Sequence, residues 1–279
     1  PPVPSPFQAR ARNTMRNGLS SALMRPYFPY YRTHRPHSFV LESAAWCWKL
    51  LMGQREAERS AATWEAVKGQ PYFTLPLQVN SDYQIRVHSP FGDMRAALRF
   101  VIKSFAEHAP QGVALLVKRH PLDPGLVGWE RLTRKLAAHY GVGERVHYLS
   151  DWDIAEVVQK SLGVVTVNST VGTLALNGAK PVVVLGHAVY KVPGIVHHTS
   201  LDSFWGAPRQ PDMALYSAFR RVLEDRCLIR GGLLSEEGLR MLVDNAVQRL
   251  EKDPSEVLPL TRPARRRRRG MDVVHGSAA

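Results

Sequence analysis

From residue 72 onward, short apolar runs alternate with longer segments in which apolar residues recur at helical spacing. The apolar runs predict buried β-strands at 72–79, 113–119, 145–149, 163–168 and 181–186. The helical periodicity predicts helices at 92–109, 128–141, 152–161, 170–178, 211–226 and 235–252. Continuous apolar strands that alternate with helices are typical of a parallel sheet covered on both faces. We therefore expect an α/β fold with a doubly wound, parallel Rossmann-type sheet.

The segments outside this alternation differ in composition. Residues 1–37 are rich in proline, arginine and aromatic residues, which is typical of irregular chain, and a helix is predicted at 39–67. We expect residues 1–71 to precede the sheet domain, residues 72–254 to form it with its closing helices, and residues 255–279 to be a disordered basic tail.

The charge indicates an anionic partner. The 279 residues carry a net charge of +13, and residues 265–269 are a run of arginines. A nucleotide, a phospholipid headgroup, an acidic sugar and a nucleic acid all fit this charge. The arginine run fits either a solvated tail or a segment held at an anionic membrane surface.

The sequence also bears on the compartment. No apolar run is long enough to span a membrane, and the first residues lack the apolar core of a signal peptide. The two cysteines, Cys47 and Cys227, give no metal pattern and no disulfide framework, so a reducing compartment is the simpler interpretation. The chain begins with proline, which is compatible with a fragment or a processed product.

Polar residues collect where the predicted strands end. In sheets of this kind ligands bind outside the carboxyl ends of the strands, so these residues are candidates for one site. The candidates after the first, second and fourth strands are Gln78, Asp82, Gln84, Arg86, Lys118, His120, Asn168, Ser169 and Thr170. Further polar clusters follow the third strand, in 150–153, and the fifth, in 186–194.

The segment Asn168-Ser169-Thr170 leads from a strand into a helix. The free backbone N–H groups of a helix start, its dipole and two hydroxyls suit a phosphate group. A simpler interpretation is that Ser169 only caps the helix, and both can hold together.

Two further signals are weaker. His120 follows a buried strand and stands between Arg119 and Pro121, where it could be structural or could assist a leaving phosphate. The Asp-Trp-Asp segment at 151–153 matches a metal-binding pattern, but Ser150 or Asp151 capping the next helix is the simpler interpretation. We expect neither a metal nor a cofactor, and neither common type of glycine-rich phosphate loop is present.

Five segments in order carry a resemblance to a known family. They are PLQVNSDYQIRVHSPF, LLVKRHPLDPG, VNSTVGTLAL, GAKPVVVLGHAVY and LDSFWGAPRQPD. On these motifs the chain resembles the bacterial capsule polysaccharide synthesis family of Kdo transferases, the KpsS/KpsC type, and within it the KpsS-like members. The resemblance implies a GT-B-like fold, of which this chain would hold the carboxyl-terminal, donor-binding half and an incomplete amino-terminal half.

The resemblance also implies a reaction. Kdo would pass with retention from CMP-Kdo to a lyso-phospholipid or a Kdo-terminated acceptor, at the cytoplasmic face of the inner membrane and within a capsule assembly or export complex. The catalytic aspartate of the family falls on Asp82, its His-Pro motif on His120 and Pro121, and its nucleotide-binding Asn-Ser-Thr on 168–170. Retention by double displacement requires a carboxylate nucleophile, which Asp82 would supply.

The other candidates would bind substrate or nucleotide. Arg86 and Lys118 would neutralise the sugar carboxylate or the CMP phosphate, and Gln78 and Gln84 would lie beside them.

The sequence departs from the family in its short amino-terminal part, in Arg119 where a histidine is common, and in the arginine run. Two other functions stay open: a truncated, non-catalytic capsule assembly protein that binds nucleotide or lipid, and another nucleotide-sugar enzyme of GT-B shape, such as an epimerase. Nucleic-acid binding is not expected, because the basic residues lie in tails without interleaved aromatics at the carboxyl end.

Overall fold

A computed structural model describes residues 16–21, 23–24, 26–30, 39–233 and 235–251. The predicted basic tail at 255–279 and most of the proline-rich start lie outside these residues. The described residues up to Leu228 form one compact unit, and those from Ile229 onward belong to a second.

The larger unit is built on a parallel sheet. Its strands are β1 (Tyr72–Pro76), β2 (Ala114–Lys118), β3 (Val146–Leu149), β4 (Gly163–Thr166) and β5 (Val182–Val184). They pair in the order β3-β2-β1-β4-β5, all parallel. The predicted α/β class and parallel sheet are therefore confirmed. β3 ends where predicted, and the other strands end earlier: β2 by one residue, β4 and β5 by two, and β1 by three.

Helices connect and cover the strands. They are α1 (Phe39–Val67), α2 (Tyr83–Arg86), α3 (Met94–His108), α4 (Trp129–His139), α5 (Ile154–Lys160), α6 (Val171–Asn177), α7 (Leu201–Gly206) and α8 (Met213–Arg226), with α9 (Glu236–Glu251) in the second unit. Aspartates begin several of them by accepting hydrogen bonds from first-turn N–H groups, as Asp93 does for α3. The short helices α2 and α7 were not predicted, since they are too brief to show a periodicity.

The two faces of the sheet bury different residues. Phe73 and Leu75 of β1 face a core formed by α3, α4 and α7, where Trp205 contacts Phe73 and donates from Nε1 to Ser104. Tyr72 faces the opposite side, where Trp64 of α1 packs edge-on against it at 6.1 Å between ring centroids. Each fully buried large apolar side chain contributes about 1.5–3 kcal/mol, so the double cover stabilises the strands that carry the polar loops.

The strand order determines where the loops separate. β1 lies between β2 and β4, so the chain turns to one side after β1 and to the other after β4. This strand order reverses between β1 and β4, which is where sheets of this type open a crevice for a ligand. The loops that follow β1, β2 and β4 therefore surround the place where the sequence predicts a site.

Among the described helices, none has both the length and the apolar character that crossing a membrane requires.

Candidate functional site

A buried glutamine, Gln78, links the loops that follow β1 and β4. Gln78 is 4% exposed, and its Oε1 accepts a hydrogen bond of 2.8 Å from the backbone N–H of Asn168. The neighbouring Leu77 donates its N–H to the carbonyl of Lys118, which ties the same loop to β2. Gln78 thus holds the loops after β1 and β4 together, and its amide oxygen is used in this hydrogen bond.

Asn168 fixes the loop that carries Asp82. Its Nδ2 donates to the carbonyls of Gln84 and His88, at 2.8 and 2.7 Å. Its Oδ1 is buried and has no hydrogen-bond partner among the residues that the structure describes. Gly186, after β5, leaves room for this side chain, since an added Cβ would collide with it.

We expect Gly186→Ala to destabilise the protein and to disturb this loop. The added methyl must displace Asn168 from its two carbonyl partners, and such overpacking costs about 1–3 kcal/mol. Urea denaturation monitored by tryptophan fluorescence measures the change. Gly143→Ala is the matched control, because a Cβ there has open space around it. Equal stability of the two variants would contradict the constraint at Gly186.

Asp82 lies in the loop that follows β1. It is partly exposed and begins α2 by accepting the N–H of Gln84 at 2.9 Å. Ile85 anchors this short helix in the core, and Asn80 Oδ1 accepts the N–H of Met94 at 2.9 Å. The carboxylate is therefore held in place at the strand end and is directed outward rather than into the core.

His120 is close enough to Asp82 for the carboxylate to act on its ionisation. Burial lowers the pKa of His120, Asp123 and Asp82 oppose this, and Lys118 and Lys49 add to the lowering. Nδ1 accepts the N–H of Leu122 at 3.1 Å, so the neutral ring carries its proton on Nε2. The structure therefore brings Asp82 and His120 to one edge, with His120 as a neutral hydrogen-bond donor near neutral pH.

The loop that carries His120 is braced from within. Asp123 is 3% exposed, and its carboxylate accepts the N–H of Gly125 at 2.7 Å and the indole N–H of Trp129 at 2.8 Å. These bonds satisfy a buried charge and fix the turn after β2. The sequence did not indicate this role for Asp123, because its partner Trp129 belongs to a different element, the helix α4.

Lys118 and Arg119 are less open to a ligand than the sequence suggested. Lys118 is 5% exposed and its Nζ donates to the carbonyls of Arg119 and Ser150, at 3.1 and 3.3 Å. Burial lowers the pKa of Lys118 to about 8, so it is still mainly charged at pH 7. Arg119 is 7% exposed and forms a two-pronged ion pair with Glu56 of α1.

The Asn168-Ser169-Thr170 turn is well ordered by its own contacts. Ser169 donates its N–H to Thr166 Oγ1 at 3.1 Å, and its hydroxyl accepts the N–H of Val171 at 3.1 Å. Tyr190 donates its hydroxyl to the carbonyl of Ser169. The hydroxyl of Ser169 thus caps the start of α6, as the simpler interpretation held, and phosphate binding by this turn stays a prediction.

The remaining candidates lie at the surface. Thr170 is exposed at the beginning of α6, and Gln84 and Arg86 are exposed on α2 beside Asp82. Their side chains are therefore accessible to solvent at this edge of the sheet.

The Asp-Trp-Asp segment has a structural role. Asp153 begins α5 by accepting the N–H of Ala155 at 2.9 Å, so the expectation that Ser150 or Asp151 caps this helix was wrong. The backbone N–H of Asp151 instead donates to Ser60 of α1 at 3.0 Å. Within the described part of the chain, no group of three or more histidine, cysteine, aspartate or glutamate side chains is placed to hold a metal ion.

Comparison with known proteins assigns the family. A sequence model described as "Capsule polysaccharide biosynthesis protein" matches residues 2–233. The chain belongs to the capsule polysaccharide biosynthesis protein family. This confirms the resemblance found in the sequence motifs and places the site described above in a capsule biosynthesis protein.

Curated relatives of this capsule biosynthesis protein include KpsS and LipB. It is 35% identical over 199 residues to the capsule polysaccharide export protein KpsS of Escherichia coli, a match that covers 70% of this chain and 51% of KpsS. It is 34% identical over 239 residues to the capsule polysaccharide modification protein LipB of Neisseria meningitidis serogroup A, covering 84% of this chain and 57% of LipB. The chain thus spans about half the length of these relatives.

Solved structures give more distant matches. The KpsC beta Kdo 2,7 transferase of Thermosulfurimonas dismutans aligns with a TM-score of 0.34 at 19% identity, over 60% of this chain and 62% of KpsC. WaaG, a glycosyltransferase involved in lipopolysaccharide biosynthesis, aligns with a TM-score of 0.35 at 15% identity, over 69% of this chain and 51% of WaaG.

Sequence reasoning missed several residues that shape the site of this capsule biosynthesis protein. Lys49 and Glu56 of α1 contact the loop after β2 from more than sixty positions away in sequence. Tyr190 holds the carbonyl of Ser169, and Gly172 leaves space for its ring. A glycine inside a predicted helix was a usable signal for this close packing, whereas nothing in the sequence pairs Lys49 with its partners.

We expect the folded state of this protein to lose stability on acidification. Burial lowers the pKa of His120, His147 and His197. Between each lowered pKa and about 6.5, the unfolded chain binds more protons than the folded chain, so the free energy of unfolding falls as pH falls through this window. Urea denaturation at pH 7.5 and 5.5 measures the loss.

A matched pair of variants isolates one contribution. His147→Gln should reduce the difference between the two pH values, and His139→Gln, at an exposed position of α4, should leave it unchanged. A stability that is constant or higher at pH 5.5 in the native sequence would contradict the prediction.

Proposed function

We propose that this chain contains the donor-binding half of a retaining glycosyltransferase that transfers Kdo from CMP-Kdo in capsule polysaccharide biosynthesis. The acceptor is a lyso-phospholipid or a Kdo-terminated oligosaccharide. The observation that carries the proposal is that Asp82 and His120 lie at the carboxyl edge of the sheet where the strand order reverses, close enough for the carboxylate to act on the pKa of the imidazole. Membership of the capsule polysaccharide biosynthesis family supports a role in capsule synthesis, and the donor CMP-Kdo is part of the proposal.

The proposed reaction has two displacements. In the first, an oxygen of Asp82 attacks the anomeric carbon of Kdo and the bond from that carbon to the CMP phosphate breaks. In the second, an acceptor hydroxyl attacks the same carbon, the bond to Asp82 breaks, and the hydroxyl proton passes to solvent. Two inversions give net retention, as in retaining glycosidases.

His120 assists the departure of CMP. Its Nε2–H faces the developing negative charge of the phosphate as a neutral donor, since Nδ1 is occupied by Leu122. Arg86 and Lys118 add positive charge at the same edge, and the Asn168-Ser169-Thr170 turn receives the nucleotide. CMP is a good leaving group, so the proposed chemistry requires neither a metal nor a cofactor.

The remaining parts of the proposal concern the surroundings. A net charge of +13 favours association with the anionic inner leaflet of the inner membrane, where a lipid acceptor is presented. We place the protein on the cytoplasmic side, in contact with a capsule assembly or export complex.

Product mass tests this function. The protein is incubated with CMP-Kdo and lyso-phosphatidylglycerol, or with a Kdo-terminated lipid, and products are analysed by mass spectrometry. The proposal expects a product heavier by one Kdo residue and release of CMP. Release of free Kdo alone, or conversion of a UDP-sugar without an acceptor, would contradict it.

A second function is favoured by the hydrogen bonds of Gln78, Lys118 and Asn168, because bonds to backbone groups of other loops occupy these predicted ligand contacts. In this function the protein binds CMP or lipid without transfer and acts in capsule assembly. Isothermal titration with CMP separates the two functions: binding without any transfer from CMP-Kdo favours the binding role.

A further inference from the structure

Helix α1 is joined to the carboxyl ends of β2 and β3 at three levels. Lys49 contacts the loop after β2, Glu56 pairs with Arg119 at the end of β2, and Ser60 accepts the N–H of Asp151 after β3. These residues are spaced by seven and four positions, so they lie along one face of the helix. The face of α1 that meets the site is thus polar at the level of the loops and apolar at Trp64, where it covers the sheet.

Lys49 contacts the residues that follow His120. Its Nζ donates to the carbonyl of Pro121 at 2.6 Å and to the carbonyl of Asp123 at 2.9 Å. Its Nζ also lies 4.7 Å from the ring centroid of Trp46, one turn earlier on α1. A charged donor that bridges two carbonyls of one tight turn fixes the path of the backbone there, because each charge-assisted bond is stronger than a neutral one.

Resting on the function proposed above, we propose that Lys49 is a positioning residue that holds the His120 loop against α1 in the geometry required for transfer. Lys49 touches neither Asp82 nor the predicted nucleotide turn through any contact that the described residues show. It acts through Pro121 and Asp123, the residues that follow His120. Displacing a catalytic group by about 1 Å can lower a rate about 10²-fold, so this bridge matters for chemistry more than for binding.

The bridge also affects the charge around His120. Burial is the largest cause of the lowered pKa of the imidazole. Asp123 and Asp82 oppose it, and Lys118 and Lys49 lower the pKa further. Removing the cation at Lys49 therefore shifts the pKa of His120 upward. This shift reports the charge at Lys49, whereas the amide of Leu122, which is hydrogen-bonded to His120 Nδ1, reports the geometry of the loop.

Three variants separate positioning from folding. Lys49→Met keeps the aliphatic stem and removes the charged donor, Lys49→Arg restores a cation with several donors, and Lys68→Met removes an exposed lysine just after α1. Circular dichroism confirms that each variant is folded. For transfer from CMP-Kdo we expect Lys49→Met to lower kcat about 10- to 100-fold with little change in KM for the donor. Lys49→Arg should recover most of the loss, and Lys68→Met should match the native sequence.

A second readout does not depend on activity. In the full chain, NMR of the His120 imidazole should show an upward pKa shift in Lys49→Met, a smaller shift in Lys49→Arg and none in Lys68→Met. If transfer is absent in the native sequence but the Leu122 amide resonance moves in Lys49→Met and returns in Lys49→Arg, the proposed function fails and the positioning role stands. An unchanged His120 titration, or a folded Lys49→Met variant with native kcat, overturns the positioning role.

Discussion

Asp82→Asn should reduce sugar transfer by about 10³-fold or more while the affinity for CMP stays at its native value. The amide oxygen of asparagine still accepts the N–H of Gln84, so α2 keeps its cap and the loop its shape. The change removes only the negative charge and the nucleophilic oxygen. Initial rates with CMP-Kdo, together with calorimetric titration of CMP, measure the two effects on the same preparation.

Asp93→Asn is the matched control for this variant. Asp93 lies in the same connection between β1 and α3 and begins α3 by accepting the N–H of Arg95 at 2.6 Å. The two substitutions therefore make the same chemical change at two helix starts, and of the two carboxylates only Asp82 acts on the pKa of His120. If both variants kept full activity, or both lost it equally, Asp82 would not be the nucleophile.

His120 is expected to be the second most sensitive position. In His120→Asn the amide oxygen stands where Nδ1 accepts the N–H of Leu122, but nothing replaces Nε2, so transfer should fall about 10²-fold or more. In His120→Gln the terminal amide nitrogen reaches farther and donates from nearly the position of Nε2. We expect this variant to retain a measurable part of the activity.

The order of the two variants carries the information. Steady-state rates at saturating CMP-Kdo should rank the native sequence above His120→Gln and His120→Gln above His120→Asn. The ranking tests a donor on Nε2 rather than the mere presence of a ring. A more active His120→Asn than His120→Gln would indicate that the contact with Leu122, and not the outward nitrogen, is what the reaction needs.

The sheet could be predicted from the sequence, because each strand is a buried apolar run and each long helix has an apolar face. Phe73 and Leu75 face one core and Tyr72 the other. Both faces of β1 are therefore apolar, and its sequence is a continuous hydrophobic run without alternating polar residues. The edge that bears the polar residues followed from topology alone, since parallel strands place their carboxyl ends together. This reasoning predicted that Asp82 and His120 lie at that edge.

The sequence could not predict which polar residues of the site are used in hydrogen bonds within the protein. Gln78, Lys118 and Asn168 were named as ligand contacts, and the structure gives each of them hydrogen bonds to backbone groups of other loops. Such contacts depend on the distance between segments that lie far apart in sequence. The bonds of Lys49 to Pro121 and Asp123 have the same origin, because a helix ahead of the sheet contains no local signal for the loop it meets.

The most direct measurement is a search for a sugar covalently bound to Asp82. The protein is mixed with CMP-Kdo without an acceptor, quenched in acid, digested, and the peptide that contains Asp82 is analysed by tandem mass spectrometry. The account predicts that this peptide carries one Kdo residue on the Asp82 carboxylate and loses it when an acceptor is added before quenching. Efficient transfer with no adduct on Asp82, or with the adduct on another carboxylate, would contradict the account.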